Sequence, residues 1–140
     1  MSSNPKSVIT IKTTVKATVE KVWSLWTDTS HIIHWNNASE DWHTTKVEND
    51  LRPGGKFLYR MEAKDGSMGF DFSGLYLIVE PFKTIKYALD DERKVEISFS
   101  ENAGMTDILE SFEAEDMNSI ELQRAGWKSI LDNFKKYAEK

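Results

Sequence analysis

Apolar and polar residues alternate over residues 8–15 (VITIKTTV), a stretch rich in β-branched types. The alternation predicts a first strand with Ile9, Ile11 and Val15 on one face. The period then lengthens. Val19, Val22, Trp23 and Trp26 recur at helical spacing behind Thr18, a side chain suited to capping, and predict a helix to Asp28. Thr27-Asp28-Thr29-Ser30 breaks that helix and caps a short second one ending near Trp35 and Asn36-Asn37.

From Thr44 the period is two. Phe57, Tyr59 and Met61 alternate with Lys56, Arg60 and Glu62, and Asp65-Gly66 supplies a tight hairpin turn. Met68, Phe70 and Phe72 lead a long strand through Tyr76 that Glu80-Pro81 ends. Ile85, Tyr87 and Leu89 mark another, and Val95, Ile97 and Phe99 follow the Asp90-Asp91-Glu92 turn. Asn102-Ala103-Gly104 turns the chain into Thr106, Ile108, Glu110 and Phe112. Short turns between alternating runs imply a sequential antiparallel meander. The chain closes on a long helix, capped by Asn118 with Glu121 in a capping-box relation. Its apolar stripe is Ile120, Gln123, Trp127, Ile130, Leu131, Phe134 and Ala138. Gly126 in the middle costs about 1 kcal/mol against Ala, and close backbone approach beside Trp127 is the expected compensation.

The predicted class is therefore α+β, with an antiparallel sheet of six to seven strands curved around a C-terminal helix. A helix is only about 10 Å wide. A sheet of that size must curl around it or leave a gap, and either outcome favours an internal pocket. Over 140 residues there is no repeat, linker or low-complexity tract, so one domain is expected.

Composition sharpens this in few places. Five Trp, four Tyr and seven Phe give more aromatic surface than one helix covers, and such rings make good walls for an apolar ligand. The absence of cysteine excludes disulfides, thiol catalysis and thiolate metal sites, and fits a cytoplasmic location. The longest apolar run, 75–79 (LYLIV), is too short to span a bilayer, and residues 1–7 are too polar for a secretory leader. A net charge of −5 disfavours nucleic acid; the Lys135-Lys136 pair belongs to a helix C-terminus, whose dipole attracts cations.

The order of these elements, with Val22-Trp23, Trp35, Arg52-Pro53-Gly54-Gly55-Lys56-Phe57, Asp65-Gly66, Gly74-Leu75-Tyr76, Glu80-Pro81, 106–113 (TDILESFE), Gly126-Trp127, Ile130-Leu131 and Phe134, resembles a known family. It is the activator of heat-shock-protein-90 ATPase homologue-like branch of the START/Bet v 1-like (SRPBCC) superfamily. The resemblance implies a helix-grip fold with a cavity between sheet and C-terminal helix. It also implies a superfamily that mostly binds lipids, sterols, polyketides or other apolar molecules, and it brings no fixed catalytic set.

Three candidate chemistries remain. His31 and His34, with Glu40, Asp41 and His43 following, have a spacing that zinc ligands use, but the segment is Trp-rich and loop-like, so no metal is expected. The 52–56 segment (RPGGK) lacks phosphate-loop spacing and precedes a strand, so it reads as a turn. Glu110 is the informative residue. It shares the inner face with Thr106, Ile108 and Phe112, where a carboxylate is expensive unless paired or wet. It reads as a polar anchor in an apolar pocket or as a structural hydrogen bond to the helix. A general base is the catalytic alternative.

The cavity is expected to be lined from Trp26, Trp35, Phe57, Tyr59, Phe70, Phe72, Tyr76, Tyr87, Phe99, Ile108, Glu110, Phe112, Gln123 and Trp127. Arg60 or Asp71 would join if a bulge shifted their register. The expected function is non-catalytic binding of an apolar or amphipathic molecule, lipid-like or polyketide-like, without cofactor, by a monomer or weak homodimer. A co-chaperone-type module acting on a heat-shock-protein-90 ATPase is one alternative; a cyclase or hydrolase using Glu110 is another.

Overall fold

The computed structural model describes residues 7–140, so the polar segment read as lacking a leader lies, but for Ser7, outside the described residues. Seven strands form one antiparallel sheet in the order β1-β7-β6-β5-β4-β3-β2. They are β1 (Val8–Val15), β2 (Trp42–Asn49), β3 (Lys56–Ala63), β4 (Gly69–Glu80), β5 (Thr84–Leu89), β6 (Lys94–Asn102) and β7 (Met105–Glu113). Helices α1 (Val19–Thr27) and α2 (Thr29–Trp35) follow β1, and α3 (Ile120–Ala138) ends the fold. β2 to β7 pair in chain order, the meander that the short turns imply, while β1 returns to pair with β7. The α1–α2 segment thus carries the chain from one sheet edge to the other. This is the helix-grip α+β arrangement.

Local chemistry explains the breaks. Thr18 caps α1 by accepting from the Lys21 amide, and Asp28 both ends α1 and caps α2 through Ser30. The cap of α3 differs from expectation. Ser119, not Asn118, accepts from the Leu122 amide, which frees the Asn118 carbonyl for another bond. The 52–56 segment is indeed a turn into β3: Gly54 donates to the Tyr76 carbonyl, and Tyr76 donates back to Gly55. A bulge between Tyr76 and Ile78 shifts parity along β4, so Val79, rather than Ile78, turns toward the core. Gly74 lies under the Phe57 ring. A β-carbon there would come within 2.4 Å of the Ala88 carbonyl oxygen and 3.0 Å of the ring.

Where α3 sits determines the rest. Its C-terminal half is seated: Leu131, Phe134 and Ala138 are buried, and Phe134 meets Trp26 and Trp35 edge-on at 4.8 and 4.9 Å. Lys135 Nζ donates to the Thr14 carbonyl, and Glu139 accepts from the Lys16 amide, fastening this end to β1. Asn133 adds a bond to the Trp35 carbonyl. The N-terminal half, with half-buried Trp127, passes over the sheet at a distance. Its main backbone approaches are to β1, α1 and α2. The helix is fastened at one end and stands off at the other.

Candidate functional site

That standing-off leaves a cavity of about 330 Å³ between α3 and the concave sheet face. Tyr59, Met61, Phe70, Phe72, Tyr76, Ile85 and Tyr87 line it from β3, β4 and β5, and Glu110 from β7. Trp26, Thr27, Trp35 and Asn36 close one side, and the first two-thirds of α3 form the roof through Gln123, Gly126, Trp127, Ile130 and Leu131. Arg93, Glu115, Asn118 and Leu122 stand where the β5–β6 turn meets the start of α3.

Of the fourteen residues expected at the wall, ten are there. Phe57, Phe99, Ile108 and Phe112 are not. They do face inward, but something stands in front of them. Trp127 stacks flat on Phe112 at 3.9 Å and 10° and covers it. Trp23 and Trp26 pack edge-on against Phe99 at 5.4 and 5.7 Å. Phe57 is enclosed by Tyr59, Phe72, Tyr76 and Tyr87, and Ile108 is fully buried. Arg60 and Asp71 pair with each other on β3 and β4 at 3.4 Å, and Arg60 also bonds Glu62 at 3.0 Å. These groups are partly solvent-exposed and do not line the cavity.

Gln123 lines the cavity without offering it a free amide. Its Oε1 accepts from the Glu115 amide, and its Nε2 donates to the carbonyls of Glu115 and Asn118. The side chain is a staple across residues 115–118, the loop entering α3. Gly126 also departs from expectation. No atom lies within 4 Å of where its β-carbon would be, so no close backbone approach compensates it. It borders open cavity instead. His31 and His34 share Tyr137 as a neighbour, and His43 lies apart from both. His31 Nδ1 is 2.7 Å from the Tyr137 hydroxyl, His34 stacks on the Tyr137 ring, and His43 is exposed on β2. Among the described residues no three His, Asp or Glu side chains are placed to hold a metal ion.

Glu110 stands apart by its hydrogen bonding. Among the described residues the buried polar or charged ones are Asn36, Thr44, Thr106, Glu110 and Gln123. Asn36 and Thr44 bond each other, Thr106 donates to the Ala17 carbonyl, and Gln123 is engaged as above. The Glu110 carboxyl has no hydrogen-bond partner among the described residues, although the residue is only 6 % exposed. Fully enclosed polar atoms without a partner do not occur among those residues, so its oxygens must open onto the cavity. Burial alone pushes this carboxyl up to about 8, so it is mostly a neutral acid at pH 7.

The surrounding phenols are arranged in order. Tyr76 donates to Asn49 Oδ1 at 2.5 Å, and Asn49 donates onward to the Thr27 carbonyl. The Tyr59 hydroxyl interacts with that of Tyr76. Burial raises Tyr59 and Tyr87 well above the usual phenol range, and a charge on Glu110 would raise both further. The site therefore offers aromatic walls and one unpartnered carboxyl.

Comparison with known proteins fits this geometry. Residues 16–139 match the family model described as Activator of Hsp90 ATPase homolog 1-like protein. The chain is similar to the AHSA1-like protein of Aeromonas hydrophila, at 44 % identity and TM-score 0.90, over 95 % of this chain and 92 % of that one. It is similar to Chr148 of Cytophaga hutchinsonii at 47 % identity and TM-score 0.82, over 94 % and 91 %. CV1439 of Chromobacterium violaceum, at 22 % identity and TM-score 0.85 over 96 % and 99 %, shares the fold. No curated protein matches the chain.

Proposed function

The chain belongs to the Activator of Hsp90 ATPase homolog 1-like family, and from that premise we propose that its cavity binds an apolar or amphipathic small molecule without transforming it. One observation carries the reading: a buried carboxyl with no hydrogen-bond partner among the described residues faces an aromatic-walled cavity of about 330 Å³. Packed interiors rarely keep a void larger than a water molecule, and buried polar groups rarely go unpaired. A bound molecule answers both at once. Its apolar body fills the space beside Phe72, Tyr76 and Trp127, and its polar group meets Glu110. A lipid-like or polyketide-like molecule has that division of character.

Native mass spectrometry of the protein purified from its source tests this. A co-purifying small molecule, lost under denaturing conditions, is the expected result. A bare mass, together with no shift of the Trp127 indole N–H signal across a library of apolar compounds, would refute it.

A second reading rests on the family's printed description, which names an Hsp90 ATPase activator. In this reading the domain acts by docking on the chaperone. Stimulation of Hsp90 ATPase by the purified chain would favour it, provided the stimulation survives substitutions that fill the cavity.

A further inference from the structure

Two buried polar side chains line the cavity with no hydrogen-bond partner among the described residues. One is the Glu110 carboxyl; the other is the Tyr87 hydroxyl, on a residue 9 % exposed and held on β5 by edge contacts with Phe57, Phe72 and Tyr76. A charge on Glu110 would act on the Tyr87 and Tyr59 phenols alike, which places the carboxyl within electrostatic reach of both. Tyr59 is otherwise occupied. The Tyr76 hydroxyl gives its one hydrogen to Asn49, so the bond it shares with Tyr59 is donated by Tyr59, and the chain continues through Asn49 to the Thr27 backbone. Tyr59 thus shows the cavity a lone pair, whereas Tyr87 shows it a free O–H.

We propose that Glu110 and Tyr87 form a two-donor clamp for the carbonyl oxygen of an uncharged, largely apolar ligand. The proposal rests on the binding reading above and specifies the polar group of its ligand.

Three features of the site select this group. With its carboxyl pushed up to about 8, Glu110 carries a proton at neutral pH and donates as a neutral acid. Both groups line the same cavity, from β5 and β7, and a phenol and a neutral carboxylic acid in an apolar site can together donate to a carbonyl oxygen. An ammonium ligand would bind with release of the Glu110 proton to solvent, a step that a carbonyl oxygen does not require. A carboxylate ligand would face the Tyr59 lone pair. Arg93, the cationic side chain at the wall among the described residues, is paired with Asp91 at 2.7 Å. What remains is a neutral acceptor.

The test uses ligands matched in their apolar body: 2-acetylnaphthalene, 2-ethylnaphthalene and 1-(2-naphthyl)ethylamine, titrated calorimetrically into the intact chain. The ketone is expected to bind roughly tenfold more tightly than the hydrocarbon, as one or two net hydrogen bonds allow. Its carbonyl stretch, read by infrared difference spectroscopy in the unmodified protein, should fall below its value in water. Tyr87→Phe and Glu110→Leu should each weaken the ketone by about 5- to 10-fold relative to the hydrocarbon measured on the same variant. Glu110→Gln, which keeps a donor without an acid, should restore most of the loss.

The unfavourable outcomes separate. Equal binding of ketone and hydrocarbon, or a carbonyl stretch like that in hexane, overturns the clamp and leaves the cavity reading standing. Tightest binding of the amine overturns it in favour of an ionised Glu110. If none of the three binds, the clamp is overturned, while the cavity reading is decided separately by the native mass and the apolar library.

Discussion

Replacing Glu110 by Gln should make the protein more stable, by an amount that grows with pH. In the folded chain the carboxyl titrates at about 8, against 4.5 for an ordinary glutamate. Below about pH 4.5 it is protonated in folded and unfolded states alike and burial of its charge costs nothing. Between the two values the unfolded chain gives up the proton and the folded chain keeps it. The unfolded state is favoured progressively, so stability is lost as pH rises and the loss is complete above about pH 8. The shift of roughly 3.5 units, at 1.36 kcal/mol per unit, amounts to about 5 kcal/mol over the whole range and about 3 kcal/mol by pH 7.

That is a large part of the stability of a domain this size, typically about 5–15 kcal/mol. Glu110→Gln keeps the shape and removes the titration. Urea unfolding followed by circular dichroism, on both ligand-free proteins from about pH 5 to about pH 9, reads the difference directly. Every other titrating group is shared and cancels. The gap between variant and parent should widen steadily with pH. A gap constant to within about 1 kcal/mol would mean that Glu110 titrates as an ordinary exposed carboxylate, and the account of the site would fail.

Other expectations follow from the roof of the cavity. Gly126→Ala, whose new methyl meets nothing within 4 Å, should stabilise α3 by about 0.5–1 kcal/mol in thermal melts while reducing affinity for bulky apolar ligands. Gln123→Ala removes three bonds across the 115–118 loop and should cost about 1–3 kcal/mol, with faster amide exchange at Glu115 as the local sign. A double-mutant cycle on Phe112 and Trp127, which stack at 3.9 Å, should give a coupling of about 0.5–1.5 kcal/mol by denaturant unfolding.

How much of this was readable beforehand depended on what periodicity encodes. Alternation placed Thr106, Ile108, Glu110 and Phe112 on the inner face of β7, and all four are buried. It could not say which of them meet open space. Only Glu110 does, because Trp127 covers Phe112 and Ile108 lies deep in the core. Facing is a property of one strand, whereas depth depends on which element packs opposite. The same limit explains Phe99, hidden by α1. Of the wall residues passed over, Met61 shared the parity of Tyr59 and Ile130 the stripe of Trp127, so a signal existed for both. Arg93, in the β5–β6 turn, belongs to no period, and only the tertiary structure brings it to the wall. Gly126 was misjudged for a related reason: a helix-weakening residue marks close packing in one fold and preserved space in another.

The one-ended seating of α3 bears on how long the molecule survives. With Phe134 and Lys135 fastened at one end and Trp127 and Gly126 bordering the cavity at the other, the ligand-free chain keeps open space where an occupant would sit. A ligand present at a hundred times its dissociation constant would add about 2.7 kcal/mol to the folded state. Shifts of that size change the share of unfolded chains offered to cellular proteases, and with it abundance, several-fold. The amount of this protein in a cell should therefore track the supply of whatever fills its cavity.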